Sequence, residues 1–195
     1  MKALLCSTVF LCVGTGIANA ETYEDQASFE SVTTSLYTNG FDDVVAGPLD
    51  ELHYSSGEYS YTITATGPAN GSLYNYDGFV GAQTGPDGIL ITFTGADVTA
   101  IGGNFWTTDG AGHTIGGYLW IELDDGTSYL SSSTGPDNFR AITSSTPIQS
   151  VFIEIPGDNL WIAMDNLMIG QTVPTPSTLV ALLGFSGLAA RRRRH

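Results

Sequence analysis

Tyr59 to Thr66 reads YSYTITAT. Tyr59, Tyr61, Ile63 and Ala65 share one parity, and Ser60, Thr62, Thr64 and Thr66 share the other. Successive side chains of a β-strand point to opposite faces, so this stretch predicts a strand with one face turned to a core. Four more runs rich in β-branched and aromatic residues follow it: ILITFT from Ile89 to Thr94, YLWIEL from Tyr118 to Leu123, VFIEI from Val151 to Ile155, and LWIAMDNLMI from Leu160 to Ile169. Runs with little alternation, such as Tyr118–Leu123, predict central strands covered on both faces. Asp77-Gly78, Asp87-Gly88, Asp109-Gly110, Asp125-Gly126 and Gly157-Asp158 punctuate the chain as turn pairs. Short strands separated by turns predict an all-β fold, an antiparallel β-sandwich or barrel, of which the sandwich is the expected one. The uneven spacing of the turn pairs argues against a propeller or solenoid. One helix is expected from Gln26 to about Leu36. Asp25 would cap it, and Phe29, Val32 and Leu36 would share a side that packs across one end of the sandwich.

The chain has 195 residues, with 20 acidic and six basic side chains and a formal net charge of −14. All the acids lie between Glu21 and Asp165, and the only base between Glu21 and Gly170 is Arg140, which gives that stretch a net of −19. A nucleic-acid partner needs a basic surface, so none is expected. Both cysteines, Cys6 and Cys12, fall in the N-terminal apolar stretch, which leaves the body without a disulfide or a thiolate nucleophile.

The two ends read as addresses. MKALLCSTVFLCVGTGIANA has a basic start, an apolar run and a small-x-small site. This predicts a secretory signal peptide over residues 1–20, cut between Ala20 and Glu21. At the other end Val173, Pro174, Thr175, Pro176 and Ser177 precede an uncharged apolar stretch from Leu179 to Ala190. Arg191, Arg192, Arg193 and Arg194 then form a basic stop, held on the cytoplasmic side of a membrane. The prolines keep the backbone extended before the apolar run. The body would span residues 21–171 and the tail residues 172–195.

This tripartite tail resembles the PEP-CTERM sorting signal of Gram-negative bacteria. Val173, Pro174, Pro176 and Ser177 match the pattern, and Thr175 stands where that family usually has Glu. The resemblance implies general secretion, transient inner-membrane association through an apolar transmembrane helix, and recognition by an exosortase. It also implies cleavage near Pro-Thr-Pro and release to the cell surface or into exopolysaccharide. In the body, YEDQASFESV with GFDD, IGGNFWTTD, and the stretch from Thr146 to Gly170 resemble secreted domains that carry such tails. Those domains look like jelly-roll sandwiches of the kind found in carbohydrate-binding modules.

No nucleophile elbow accompanies His53 or His113, and clustered zinc ligands are missing from the body. The chain is therefore not expected to be an enzyme. The resembled modules imply a structural calcium near the terminal strands. Asp42, Asp43 and Asp165 are its candidate ligands, and the competing reading leaves Asp42 and Asp43 in solvent and Asp165 bonded to backbone. A polysaccharide would need aromatic platforms. Trp106, at a strand end before Thr107-Thr108-Asp109-Gly110, is the expected exposed one, followed by Tyr74 and Tyr76, while Trp120 and Trp161 are expected in the core. The expected function is a structural or adhesive surface or matrix protein. The alternatives are a carbohydrate-binding module and then a polysaccharide hydrolase or lyase.

Overall fold

The computed structural model describes residues 20–69, 71–76, 78–157 and 159–173. In chain order the described elements are β1 (Ala20–Tyr23), α1 (Gln26–Ser31), β2 (Thr33–Asn39), β3 (Gly47–Leu49), β4 (Glu51–Ser56), β5 (Tyr59–Thr66), β6 (Leu73–Asn75) and β7 (Val80–Ala82). They continue with β8 (Gly88–Phe93), β9 (Val98–Thr108), β10 (Thr114–Ile115), β11 (Gly117–Leu123), β12 (Ser128–Ser133), β13 (Phe139–Ile148), β14 (Ser150–Glu154) and β15 (Trp161–Thr172). One sheet has six strands in the order β12-β11-β14-β8-β5-β4. The other has nine: β1-β13-β9-β15-β7-β6-β3 form its path, β10 pairs with β9, and β2 shares the long edge of β15 with β7. Every pairing is antiparallel, and the two sheets form the expected sandwich.

The core fills the space between them. Tyr61, Ile63, Ile89, Ile91, Leu119, Ile121 and Ile153 come from the six-stranded sheet, and Ile101, Phe105, Ile142, Ile162, Met164, Leu167 and Ile169 from the nine-stranded one. Each such side chain contributes about 1.5–3 kcal/mol by leaving water. β5 alternates as its sequence predicts, with Tyr59, Tyr61 and Ile63 buried and Ser60, Thr62 and Thr64 turned outward. β15 keeps both Met164 and Leu167 on the core side because its pairing with β9 slips between Asp165 and Met168, where Asn166 adopts φ 49°. An inserted residue of this kind resets the facing of everything after it.

Three local expectations are corrected. Tyr118–Leu123 is not covered on both faces: Leu119, Ile121 and Leu123 are buried, while Tyr118, Trp120 and Glu122 face outward. The helix stops at Ser31. Asp25 caps it, accepting from the Ser28 N–H at 2.8 Å, but Val32, Thr33 and Thr34 are β-branched and the chain turns into β2. Leu36 is consequently on a strand and exposed. α1 also does not cross an end of the sandwich. Its Phe29 lies on the outer face of the nine-stranded sheet in a second cluster with Ala100, Phe139, Ala141 and Met168. Gly102 makes that approach possible, since a methyl group there would stand 2.7 Å from the Ala141 Cβ and 3.0 Å from the Phe139 ring.

Asp125-Gly126 makes the β11–β12 turn, with Gly126 at φ 83° and the Thr127 N–H bonded to Asp125 Oδ1 at 2.8 Å. Asp87 departs from its expected role at an open turn. It is 2% exposed, and its carboxylate accepts the N–H groups of Ala69 at 3.0 Å and Gly71 at 2.6 Å. Asp77 and Asp158, from two other turn pairs, lie outside the described residues.

β1 begins at Ala20, opposite Ser144, and Glu21 lies opposite Thr143. Val173 ends the described chain, donating its N–H to Val32 O at 2.9 Å. Residues 1–19 and 174–195, which carry the expected signal peptide and sorting tail, lie outside the described residues. Among the described residues no helix is long and apolar enough to cross a membrane.

Candidate functional site

Two spaces among the described residues differ in size, one of about 110 Å³ lined by Phe93, Thr94, Asp97 and Gln149 and one far smaller. The space lined by Ile101, Phe105, Ile121 and Arg140 measures about 10 Å³, enough for one water. Neither space is lined by Trp106, Tyr74 or Tyr76, which lie on an outer face.

On the nine-stranded sheet, cross-strand pairing sets Pro48, Tyr74, Gly81, Ala163 and Trp106 in one row across β3, β6, β7, β15 and β9. Leu73 and Val80 point into the core, so Tyr74 points out. Gly81 and Ala163 leave a shallow floor between two aromatic residues, and the β6–β7 turn lays two further rings over it. Tyr74 meets Tyr76 with centroids 4.6 Å apart. Tyr76 stacks on Phe79 at 5.0 Å and 11°. Phe79 meets Trp106 at 5.0 Å and 59°. The result is a continuous run of four rings. A methyl group on Gly112, at φ 83°, would stand 3.0 Å from the Tyr76 ring, so the Asp109–Gly112 loop packs against that ring.

Tyr74 and Tyr76 are half-buried, as a platform requires. Trp106 is not the exposed member: it is 2% exposed and forms the bottom of the run, covered by Phe79. The two tryptophans expected in the core are instead half-buried on outer faces. Trp161 lies on β15, with Nε1 donating to Gln83 O at 3.0 Å and its ring between Gly85 and Gly110. Trp120 lies on β11 of the other sheet. Phe79 was missed by sequence reasoning, although its place in the same turn as Tyr74 and Tyr76 was a usable signal. Thr108, two residues beyond Trp106 on β9, has a buried hydroxyl with no hydrogen-bond partner among the described residues. Burial raises the pKa of the Tyr76 hydroxyl, and the charges of Tyr74 and Asp109 raise it further. Tyr76 therefore stays a neutral hydrogen-bonding group at ordinary pH.

The suggested calcium ligands separate into two groups. Asp42 and Asp165 come together beside Gly40, where a methyl group would stand 3.4 Å from Asp42 Oδ2, 3.7 Å from Asn166 Oδ1 and 3.9 Å from Asp165 Oδ1. Asp43 faces elsewhere, accepting from the Tyr54 hydroxyl at 3.5 Å. Asp165 also accepts from the Asn166 N–H at 2.6 Å and its Nδ2 at 3.0 Å. Burial raises the Asp165 pKa, and the charge of Asp42 adds to the rise. Two carboxylates and one amide fall short of the six to eight oxygens calcium takes. No group of three or more His, Cys, Asp or Glu side chains suited to a metal occurs among the described residues.

His113 stays an exposed loop residue, its Nδ1 3.1 Å from Asp109 Oδ2. Backbone hydrogen bonds from the loop, led by that of His113, hold the Asp109 carboxyl below its usual pKa.

No family model matches this chain, and neither does any curated protein. Among solved structures it is similar to a mutant of CBM29-2, a family 29 carbohydrate-binding module, complexed with mannohexaose. The TM-score is 0.43 and the identity 12%, over 71% of this chain and 92% of that one. It is also similar to another structure of a family 29 module, with TM-score 0.41 and 12% identity over 71% and 91%. A third is a CBM29-2 mutant complexed with cellulohexaose, with TM-score 0.38 and 14% identity over 64% and 94%. The sugars named with those structures belong to those proteins.

Proposed function

We propose that this chain is an exported carbohydrate-binding domain whose ligand lies along the outer face of the nine-stranded sheet over Tyr74, Tyr76 and Phe79. The observation that carries the reading is the four-ring run from Tyr74 to Trp106. Half-buried rings present flat apolar faces to the C–H face of a sugar, while the tyrosine hydroxyls remain available to its oxygens. Trp106 acts through Phe79 as the support that fixes the platform. The signal peptide and the exosortase-type tail belong to the same proposal, delivering the domain to the cell surface or an exopolysaccharide matrix.

A glycan array of neutral bacterial and algal polysaccharides tests it, using the full chain beside Tyr74→Ala. Tyr74 is the better probe than Trp106 because it lies at the outer end of the run. The expected result is binding to at least one glycan, lost in Tyr74→Ala with the melting midpoint nearly unchanged. Binding that survives both Tyr74→Ala and Phe79→Ala would remove the platform, and silence across the array would remove the carbohydrate reading.

A further inference from the structure

The opposite sheet presents a second aromatic surface with a different electrostatic character. On β11 Tyr118 is 58% exposed and Trp120 is half-buried, both facing away from the core. Trp120 lies directly opposite Leu130 on β12 and Glu154 on β14, while Glu122 follows two residues along its own strand, opposite Phe152. Directly opposed residues have Cβ atoms about 4.5–5.5 Å apart. Positions two along a strand are about 6.6 Å apart. One indole is thus flanked by two exposed carboxylates, with Tyr118 and Leu130 extending the apolar surface. Neither carboxylate takes part in an ion pair or hydrogen bond among the described residues, and the Trp120 N–H has no partner there either. The only Arg or Lys among the described residues is Arg140, which is 7% exposed and bonded to Phe139 O and Ser132 O. This face therefore lacks an Arg or Lys of its own to balance Glu122 and Glu154.

An aromatic face bordered by unpaired carboxylates is complementary to a cation: the indole attracts it through its quadrupole and the carboxylates through their charge. The rest of the sheet face suits a sugar polymer. Beyond Phe152 and Leu90 it continues into Thr92, Thr62 and Thr64, with the Thr62 hydroxyl 3.1 Å from His53 Nδ1. The geometry points to a second binding face, centred on Trp120 with Glu122 and Glu154, for an ammonium-bearing amino-sugar polymer. This rests on the carbohydrate-binding reading above and adds a separate site with its own ligand class. Pyranose rings of the polymer would stack on Trp120 and Tyr118, and their ammonium groups would enter between the two carboxylates. Polyanionic polysaccharides would be repelled.

Calorimetry with the full chain tests it, comparing a glucosamine hexamer with an N-acetylglucosamine hexamer, which has the same backbone and no charge. The expected result is binding of the glucosamine hexamer that weakens as salt is raised. The paired variant Glu122→Gln/Glu154→Gln, which keeps the shape of the face, should lose roughly tenfold or more in affinity. Trp120→Ala should abolish binding, and Tyr74→Ala should leave it unchanged. Equal affinity for both hexamers, or indifference to the paired glutamine variant, would overturn the proposal. So would tighter binding of an oligolysine peptide than of the glucosamine hexamer at the same face, which would mark it as a site for basic protein. Loss of this site with glycan binding through Tyr74 intact would leave the first reading standing.

Discussion

The Asn39 amide donates to the Tyr61 hydroxyl at 2.8 Å, joining β2 of one sheet to β5 of the other inside the core. Tyr61 is 1% exposed and Asn39 6%. Asn39 Oδ1 in turn accepts the Phe41 N–H at 2.9 Å, at a residue held at φ 55°. Tyr61→Phe keeps the ring and removes the acceptor, leaving a buried amide N–H without its partner. The expected cost is about 1–3 kcal/mol. Denaturant unfolding of Tyr61→Phe, Asn39→Ala and the double variant measures it. The pair should be coupled, with the double variant losing less than the sum of the singles.

Arg140 gives a second contrast. Its guanidinium is buried among Ser131 Oγ, Phe139 O and Ser132 O, and its nearest carboxylate is Glu24 at 4.0 Å, on a side chain 75% exposed. Hydrogen bonds to neutral oxygens therefore hold this charge more than the ion pair does. Glu24→Gln should change stability by less than about 1 kcal/mol. Arg140→Met removes the guanidinium donor to Phe139 O and leaves Ser132 O to the Asn138 Nδ2 and Ser131 Oγ donors, so it should cost more, about 1–3 kcal/mol. A larger loss from Glu24→Gln than from Arg140→Met would reverse this ranking.

How far the sequence told these things depends on whether the cause was local. YSYTITAT announces its inner and outer faces because one is aromatic or aliphatic and the other hydroxylic. YLWIEL hides the same alternation: Tyr118 and Trp120 face outward, and an outward aromatic looks like a core residue to any hydropathy rule. Trp106 misleads in the opposite sense. The polar residues after it suggest exposure, yet it is covered by Phe79 from another strand connection. Asp87-Gly88 has the letters of a turn, but N–H groups from the preceding loop capture the carboxylate and bury it. Asp25 was legible because a cap is a local device. The end of α1 was set by the β-branched run that β2 needs.

Asp165 makes stability depend on pH in a determined direction. Burial, with the Asp42 charge adding to it, raises its folded-state pKa above the unfolded value. The folded state then holds the proton more tightly than the unfolded state, so the penalty is absent below the unfolded pKa. It grows as pH rises through the ordinary carboxylate range and is full above the folded pKa. Asp165→Asn removes the charge while keeping an acceptor for the Asn166 N–H. Its stability relative to wild type should rise between acidic and neutral pH and level off above. A difference that shrinks as pH rises would contradict the assignment.

Gly112 and Gly126 form a matched pair for testing the platform. Both sit at φ 83°, so an alanine at either pays the left-handed penalty of about 1–2 kcal/mol. Only Gly112 faces the Tyr76 ring, whereas nothing stands within 4 Å of a methyl group on Gly126. Gly112→Ala and Gly126→Ala should both lower the melting midpoint, and only Gly112→Ala should weaken glycan binding through Tyr74 and Tyr76. Equal binding by the two variants would mean that the Tyr76 ring is not part of the ligand surface.

The two ends of the domain lie at one pole of the sandwich. Glu21, Thr143, Ala100 and Gly170 form one cross-strand row over β1, β13, β9 and β15. β1 and β15 run in opposite directions, so β1 starts where β15 finishes, about 14 Å away at three strand spacings. A leader before Ala20 and a tail after Val173 would then leave the domain on the same side, and both could be held at one membrane without twisting the fold. Cleavage between Ala20 and Glu21 would fall inside β1, at residues paired with Ser144 and Thr143. A protease needs an extended, unpaired strand, so this cut should precede docking of β1 on β13. Mass spectrometry of secreted protein from the native host should find Glu21 at the N-terminus and a C-terminus within residues 174–177. Secreted protein retaining Arg191–Arg194 would refute tail processing. A substitution that weakens β1 pairing, such as Thr22→Pro, should leave the N-terminal cut intact if cleavage comes first, and should speed it if docking normally competes.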